Sequence, residues 1–210
     1  MNVWEMTTEV LADGRSAFSR LRTGSKQENG LLFDRFKGDS FPPEHWKPIR
    51  LVRIPAKEDT AKSHQLADLV LIDFYGSVST FSRRALDVLL PHIGHCGEVL
   101  PVVFDEAPYA IFNVTRVIEA LDEPASEVVY FPSSGRVAGI DRFEFKPAVV
   151  KNELLFKIPQ GPGAYNFVTD RFVKIVRDAG LTGFDFKKVW SDDVAKAPPK
   201  PAVVSAKSHG

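Results

Sequence analysis

The clearest hydrophobic pattern in the chain predicts a helix near its C-terminal end. Apolar residues recur there three and four positions apart, which places them on one face of a helix. This apolar face consists of Phe172, Val173, Val176 and Ala179. Thr169 or Asp170 is a suitable N-cap. Gly180 followed by Leu181 is typical of a glycine stop, in which the apolar residue after the glycine packs against the last turn.

Short apolar stretches, several of them alternating with polar residues, predict strands. These stretches are 3–7, 48–55, 66–75, 98–105, 107–114, 127–131, 137–145, 154–158 and 184–190. Residues 98–105 and 107–114 are expected to form one antiparallel hairpin, and 127–131 and 137–145 a second one, because a short polar turn separates each pair. The nearly continuous apolar run at 66–75 is typical of a central strand that is buried on both faces.

A second principal helix is predicted at 79–90. Ser79 is a suitable N-cap for it. Its apolar face consists of Phe81, Ala85 and Leu89, which recur four residues apart. Pro91 and Gly94 are expected to end this helix, since both residues interrupt helical patterns.

The pattern as a whole predicts an α+β fold for residues 1–191, with a mainly antiparallel sheet and two principal helices. One or two further helical turns are expected at 115–121, and the many glycines and prolines of 8–48 predict loops there. After residue 191 the sequence becomes rich in Pro, Ala and Lys. Such a composition buries too little apolar area to fold, so residues 192–210 are predicted to form a disordered tail.

Charge and cysteine content narrow the classes of partner and compartment. The 210 residues include 27 Lys and Arg and 27 Asp and Glu, so the formal net charge is zero. We expect no nucleic-acid binding, because proteins that bind nucleic acids usually show a basic excess or a basic stripe. Cys96 is the only cysteine, which excludes an internal disulfide. With no visible secretory signal and no apolar run long enough to span a bilayer, we expect a cytoplasmic protein.

One stretch concentrates the residue types that bind metals. It contains His92, His95, Cys96 and Glu98. A structural zinc site normally needs four protein ligands, usually in two separated pairs, and no second His or Cys pair follows. We therefore interpret the stretch as a loop with surface histidines and predict no metal and no cofactor. A thiol nucleophile at Cys96 is the alternative, but nothing in the sequence marks this cysteine as activated.

Three acidic residues, Asp122, Glu123 and Glu127, make a compact acidic patch. The patch could supply paired carboxylates for acid–base catalysis. We favour a solvated turn or a binding surface instead. The glycine-containing stretches 133–135 and 161–163 lack the spacing of a nucleophile elbow or a phosphate loop, so both are interpreted as turns.

The three tryptophans, Trp4, Trp46 and Trp190, are expected to anchor the core. Trp46 lies in a proline-flanked stretch, and for this residue an exposed position on a partner surface is the alternative. The basic pairs at 20–22 and 83–84 are expected to lie on solvated faces.

Several phrases along the chain, in the same order, resemble a family of bacterial immunity proteins from polymorphic-toxin systems, immunity family eleven. The phrases are 82–90, 97–101, 109–115, 120–122 with Ser126, 155–158 and 167–170. The strongest is the closing stretch, with Phe172, Gly180-Leu-Thr-Gly183, Phe186 and Val189-Trp190. The resemblance covers about residues 69–190. The matching positions are mostly apolar, glycine or turn residues, so we assign them to the fold rather than to contact with a toxin.

The resemblance implies an immunity protein that binds a cognate toxin, encoded beside it, and blocks it by stoichiometric occlusion. It carries over no catalytic, cofactor or metal residues. Because the chain is neutral, an acidic or apolar contact surface would have to be local. Two alternatives remain open: a small enzyme that uses His92, His95, Cys96 or the Asp122 patch, and a regulatory or scaffold module with a Pro-rich tail. The contact face and the oligomeric state are left open.

Overall fold

The protein is mostly β, and the predicted α+β class with two principal helices is wrong. The computed structural model describes residues 1–12, 16–54, 62, 64–72 and 78–193. Within these ranges the strands are β1 (Asn2–Thr8), β2 (Arg20–Thr23), β3 (Ile49–Ile54), β4 (Leu69–Leu71), β5 (Ser79–Ser82), β6 (Gly97–Val103), β7 (Tyr109–Val114), β8 (Glu127–Tyr130), β9 (Val137–Arg142), β10 (Leu155–Phe156), β11 (Phe167–Thr169) and β12 (Phe184–Ser191). The α-helices of the same ranges are α1 (Lys26–Arg35), α2 (Arg83–Ile93), the single turn α3 (Pro147–Val150) and α4 (Asp170–Asp178).

Six strands form a mixed sheet in the order β2–β3–β6–β7–β5–β4. Neighbouring strands are antiparallel except β3 and β6, which are parallel. A parallel bridge between Leu21 and Ile72 joins the two ends of the order and nearly closes the sheet. Its strands and α1 share a buried cluster that includes Leu21, Ile49, Val70, Leu100, Ile111 and Leu32. The helix therefore takes part in the same core as the sheet.

The predicted strand at 66–75 is correct in burial but wrong in position. Leu69 and Val70 are both buried and belong to two different core clusters, as expected for a strand covered on both faces. However, β4 stands at one end of the strand order rather than in its centre. Residues 73–77 of the predicted strand lie outside the described residues.

A second sheet has the order β10–β11–β1–β12, and all of its pairs are antiparallel. β1, from the start of the chain, lies between two strands from the end of it. Side chains alternate across the sheet, as the pleat requires. Val168 faces a cluster shared with α2 and α4, whereas the preceding Phe167 faces a third cluster on the other side.

Aromatic rings fill the third cluster. Phe167 of β11 lies with its ring centroid 5.3 Å from those of both Phe143 and Phe145, and Trp190 of β12 lies 6.0 Å from Phe145. Most of these pairs are edge-to-face, the geometry that aromatic rings prefer. The cluster fastens the segment after β7, including β8 and β9, to the second sheet.

Three predicted local features are wrong. The stretch that begins with Ser79 is the strand β5, and α2 starts only after it, with Ser82 as the N-cap whose side chain accepts the Ala85 N–H. α2 continues through Pro91 to Ile93 and has Gly94 as its C-cap, so of the two predicted stops only the glycine is correct. Pro91 removes one backbone hydrogen bond close to the end of the helix. Residues 115–121 are extended rather than helical, with bridges at Val117 and Leu121.

The closing helix and its glycine stop are confirmed. Gly180 has φ +59°, its N–H donates to Arg177 O, and the N–H of Leu181 donates to Val176 O, which is the Schellman pattern. Thr169 is the N-cap residue, but its hydroxyl donates to Glu153 O instead of capping α4.

The carboxylate of Asp68 ties this helix stop to the start of α2. It accepts hydrogen bonds from Ser82 Oγ at 2.6 Å, Arg84 Nη1 at 2.7 Å and Thr182 N at 2.9 Å. Asp68 is buried, so the four residues form a polar link between two elements of the same core cluster.

Both predicted hairpins are confirmed, as β6–β7 and β8–β9. β1, β3 and β12 also lie where the alternation predicts strands. The prediction of loops throughout 8–48 is wrong at β2 and α1, which both lie within this range. Of the predicted tail, residues 194–210 lie outside the described residues.

Candidate partner-binding hairpin

The hairpin of β8 and β9 is a separate two-stranded sheet. Its inner face is held by the core, because Val128 stands opposite Ile140 and both pack on the third cluster. On the next pair, Val129 stands opposite Gly139. Since glycine has no side chain, Val129 lacks a cross-strand side-chain partner and 42% of it is exposed.

Exposed apolar residues continue from Val129 to the turn. Tyr130 is 44% exposed and Phe131 is 53% exposed, the largest value among the large apolar residues that the structure describes. Because side chains alternate along a strand, Val129 and Phe131 lie on one face of the hairpin and Tyr130 on the other, so the tip exposes apolar side chains on both faces. We call these three residues the hairpin patch. Tyrosine and phenylalanine are also enriched where proteins bind one another.

Backbone hydrogen bonds close the turn beneath this patch. Phe131 N–H donates to Arg136 O at 2.8 Å, and Gly135 N–H donates to Phe131 O at 2.9 Å. Gly135 has φ +64°, the left-handed conformation that favours glycine. The patch is therefore presented by a defined backbone, which lowers the entropy lost on binding.

Tyr130 is fixed by a carboxylate. Its hydroxyl donates to Glu123, which also accepts from Gln160 Nε2 at 3.0 Å. The hydrogen bond from Tyr130, with the one from Gln160, lowers the pKa of Glu123, and the same bond to Glu123 raises the pKa of Tyr130. Of the predicted acidic residues, Glu123 therefore lies beside the Tyr130 ring, whereas Glu127 pairs with Arg142 at the other end of the hairpin.

The hairpin segment is acidic although the whole chain is neutral. Between residues 119 and 146 there are six acidic side chains and three basic ones, an excess of three negative charges. Arg142 pairs with Glu127 and Glu144, so part of the charge is compensated. Asp141, next to this pair, is exposed. The hairpin segment thus combines a local acidic excess with exposed apolar side chains.

The structure brings two of the metal-type residues of the 92–98 stretch into contact, because His95 Nε2 lies 3.4 Å from Cys96 Sγ. Cys96 is fully buried, and burial raises the pKa of its thiol, whereas His92 and His95 are exposed. Glu98 holds a loop by accepting from Phe41 N at 2.7 Å. Within the described part of the chain, no group of three or more His, Cys, Asp or Glu side chains could hold a metal ion.

The remaining candidates occupy structural positions. Trp46 is buried and its Nε1 donates to Pro101 O at 2.9 Å, so the alternative of an exposed Trp46 is wrong. Residues 133–135 form the turn of the β8–β9 hairpin. His45 and His64 lie apart from the 92–98 stretch in the sequence, and the placement of His209 is outside the described residues.

The sequence contained a signal for the hairpin patch that our interpretation did not use. Phe131 directly precedes the turn at 132–135, and an aromatic residue at a strand end beside a polar turn has few core neighbours. A buried lysine was also missed. Lys157 follows β10 in an apolar stretch, is fully buried, and donates from Nζ to Phe36 O at 2.8 Å.

The comparison with protein families concerns the part of the chain that contains the hairpin. Residues 104–191 match the model of the Imm11 immunity protein family. The resemblance inferred from the sequence is thereby confirmed, and we call this range the Imm11 segment. No curated protein matches the chain.

The Imm11 segment depends on residues outside it. It includes β7–β12, α3 and α4, but β1, the strand between β11 and β12, lies outside it. Among the helices of the described residues, none is long and apolar enough to cross a membrane.

Proposed function

We propose that this chain is an immunity protein that neutralises a cognate toxin of a polymorphic-toxin system by stoichiometric occlusion. The observation that carries the proposal is the match of residues 104–191 to the Imm11 family. An immunity family favours a role in binding rather than in catalysis. The proposed partner is the toxin encoded next to this chain.

Occlusion requires surface complementarity and no chemical step. A stable complex of this kind buries on the order of 1,600 Å² in total. We propose that residues 1–191 act as one binding unit, since strands from both ends of this range share a sheet. We also propose that binding occurs in the cytoplasm. Cys96 is buried and unpaired, so the described fold uses no disulfide that a reducing compartment would break.

Co-expression with the toxin domain of the neighbouring gene tests the proposal. Cells that make both proteins should survive, and the two proteins should copurify. If the toxin still kills and no complex forms, the proposed function is wrong.

A titration separates occlusion from enzymatic inactivation. With purified components, toxin activity should fall linearly as the protein is added and reach its minimum near one equivalent. An enzyme that modified the toxin would instead inactivate many equivalents over time. Activity that continues to fall with time at one tenth of an equivalent would contradict occlusion.

A further inference from the structure

We propose that the tip of the β8–β9 hairpin, with Val129, Tyr130 and Phe131, is the surface that holds the toxin. The expected partner surface is an apolar pocket surrounded by basic side chains. This inference rests on the proposed function and adds the contact face and the chemistry of the partner.

The tip of the hairpin leaves a large apolar surface exposed, mostly on Tyr130 and Phe131. A buried aromatic side chain removes about 150–250 Å² from water. With about half of each ring exposed, Tyr130 and Phe131 together offer roughly 200 Å² for burial. Binding energy in protein interfaces concentrates in a few such aromatic residues near the centre of the contact.

The charge of the hairpin segment indicates which side chains should surround the apolar pocket on the toxin. The hairpin segment carries an excess of three negative charges. Glu123 accepts from the Tyr130 hydroxyl. Glu127 and Asp141 are exposed at the end of the strands away from the turn, and Arg136 is the exposed basic residue beside the turn. Complementary interfaces place opposite potentials together, and like charges are costly there. A toxin surface with lysines and arginines around an apolar pocket therefore fits this tip, whereas an acidic surface does not.

The geometry also leaves room for a partner at the side of the hairpin. A Cβ added at Gly139 would have no heavy atom within 4 Å. The space beside Val129 is thus open to an incoming side chain. It can also be filled by mutation without a clash inside the protein.

The test measures the affinity of the purified toxin domain encoded by the neighbouring gene for pairs of matched variants. Val129→Ala and Phe131→Ala remove exposed surface at the tip, and Val52→Ala makes the same type of change on β3, where Val52 is 36% exposed. We expect Phe131→Ala to weaken binding at least about 30-fold, as removal of an interface hot spot does. Val129→Ala should have a smaller effect, and Val52→Ala should bind like the unmodified chain.

A second pair adds bulk and positive charge instead of removing surface. Gly139→Lys places a lysine at the tip, and Gly30→Lys places one on α1, where an added Cβ also meets no atom within 4 Å. Gly139→Lys should weaken binding more than Gly139→Glu, because the expected partner is basic. Gly30→Lys should leave affinity unchanged. Circular dichroism and thermal unfolding of each variant establish that the chain remains folded.

The outcomes distinguish the contact face from the function. Loss of affinity in the tip variants with retention in Val52→Ala and Gly30→Lys supports the inference. If the unmodified chain binds the toxin and the folded tip variants bind equally well, the hairpin is not the contact face and the proposed function stands. If the unmodified chain does not bind the toxin, the proposed function fails and the inference fails with it.

Discussion

The buried lysine gives a quantitative prediction about stability. Lys157 joins the end of β10 to the end of α1, because its Nζ donates to Phe36 O at the C-cap of that helix. The amine is fully buried. Burial lowers its pKa from 10.5 to about 8, since the charged form loses its hydration.

The sign of the pH dependence follows from proton binding. Between about pH 8 and 10.5 the unfolded chain keeps the proton on Lys157 and the folded chain has released it. Stability rises with pH wherever the unfolded state binds more protons. Below pH 8 the folded chain holds a desolvated charge that costs about 3 kcal/mol relative to high pH, and this cost disappears as the pH rises to 10.5.

The Lys157→Met variant removes the titrating amine but leaves the Phe36 carbonyl without its partner. The lost hydrogen bond costs about 1–3 kcal/mol, so the two effects largely cancel at pH 7. The pH dependence of stability remains different in the two proteins, because only the unmodified chain contains the titrating amine. From pH 7 to pH 10 the unmodified chain should gain about 2.5 kcal/mol of stability relative to Lys157→Met.

Urea unfolding at pH 7, 8, 9 and 10 measures this difference, since other groups titrate equally in both proteins. Lys151→Met is the matched control, because Lys151 is exposed. The difference in unfolding free energy between Lys151→Met and the unmodified chain should stay constant from pH 7 to pH 10. A constant difference between the unmodified chain and Lys157→Met across the range would refute the burial of an amine with a lowered pKa.

Three further predictions concern the fold. Gly183→Ala should destabilise the protein by more than about 2 kcal/mol in thermal unfolding, because Gly183 has φ +81° and a Cβ there would lie 2.5 Å from Leu69 O. Gly180→Ala should cost only about 1 kcal/mol, because Gly180 also has a positive φ but an added Cβ would meet no atom closely. Asp68→Ala should lower stability by about 1–3 kcal/mol, measured by urea unfolding, because its three partners lose a buried acceptor; an unchanged midpoint would show that water replaces the carboxylate. The Imm11 segment expressed alone should show no cooperative unfolding transition, since β1 is missing from the middle of its sheet, and a sharp transition would contradict this.

Local signals explain which elements could be predicted. α4 has an apolar stripe and a glycine stop within one stretch, so its ends follow from nearby residues. The β8–β9 hairpin likewise follows from its polar turn. The helix α1 was missed because it contains Gly30 and its apolar residues are not spread along the whole helix. Its N-terminus nevertheless carries a signal, Ser25 followed by Glu28, and Ser25 does accept the Glu28 N–H.

Long-range features account for what was missed. The parallel pairing of β3 with β6 and the Leu21–Ile72 bridge join segments that are far apart in sequence, and no local pattern encodes such partners. The α+β prediction was wrong for a related reason, since short strands such as β2 have too few residues to show a period. The exposure of Phe131 was not predicted, because the strand pattern at 127–131 does not show which of its residues the core covers.

The position of β1 between β11 and β12 has a consequence for synthesis. Val3 pairs with Thr169 and Trp190, so both neighbours of the strand are translated more than 160 residues after it. At elongation rates of about 5–20 residues per second, the edges of β1 stay unpaired for roughly 10–30 seconds. During that interval a nascent chain is exposed to aggregation and to chaperones, so the second sheet can form only in chains whose synthesis is almost complete.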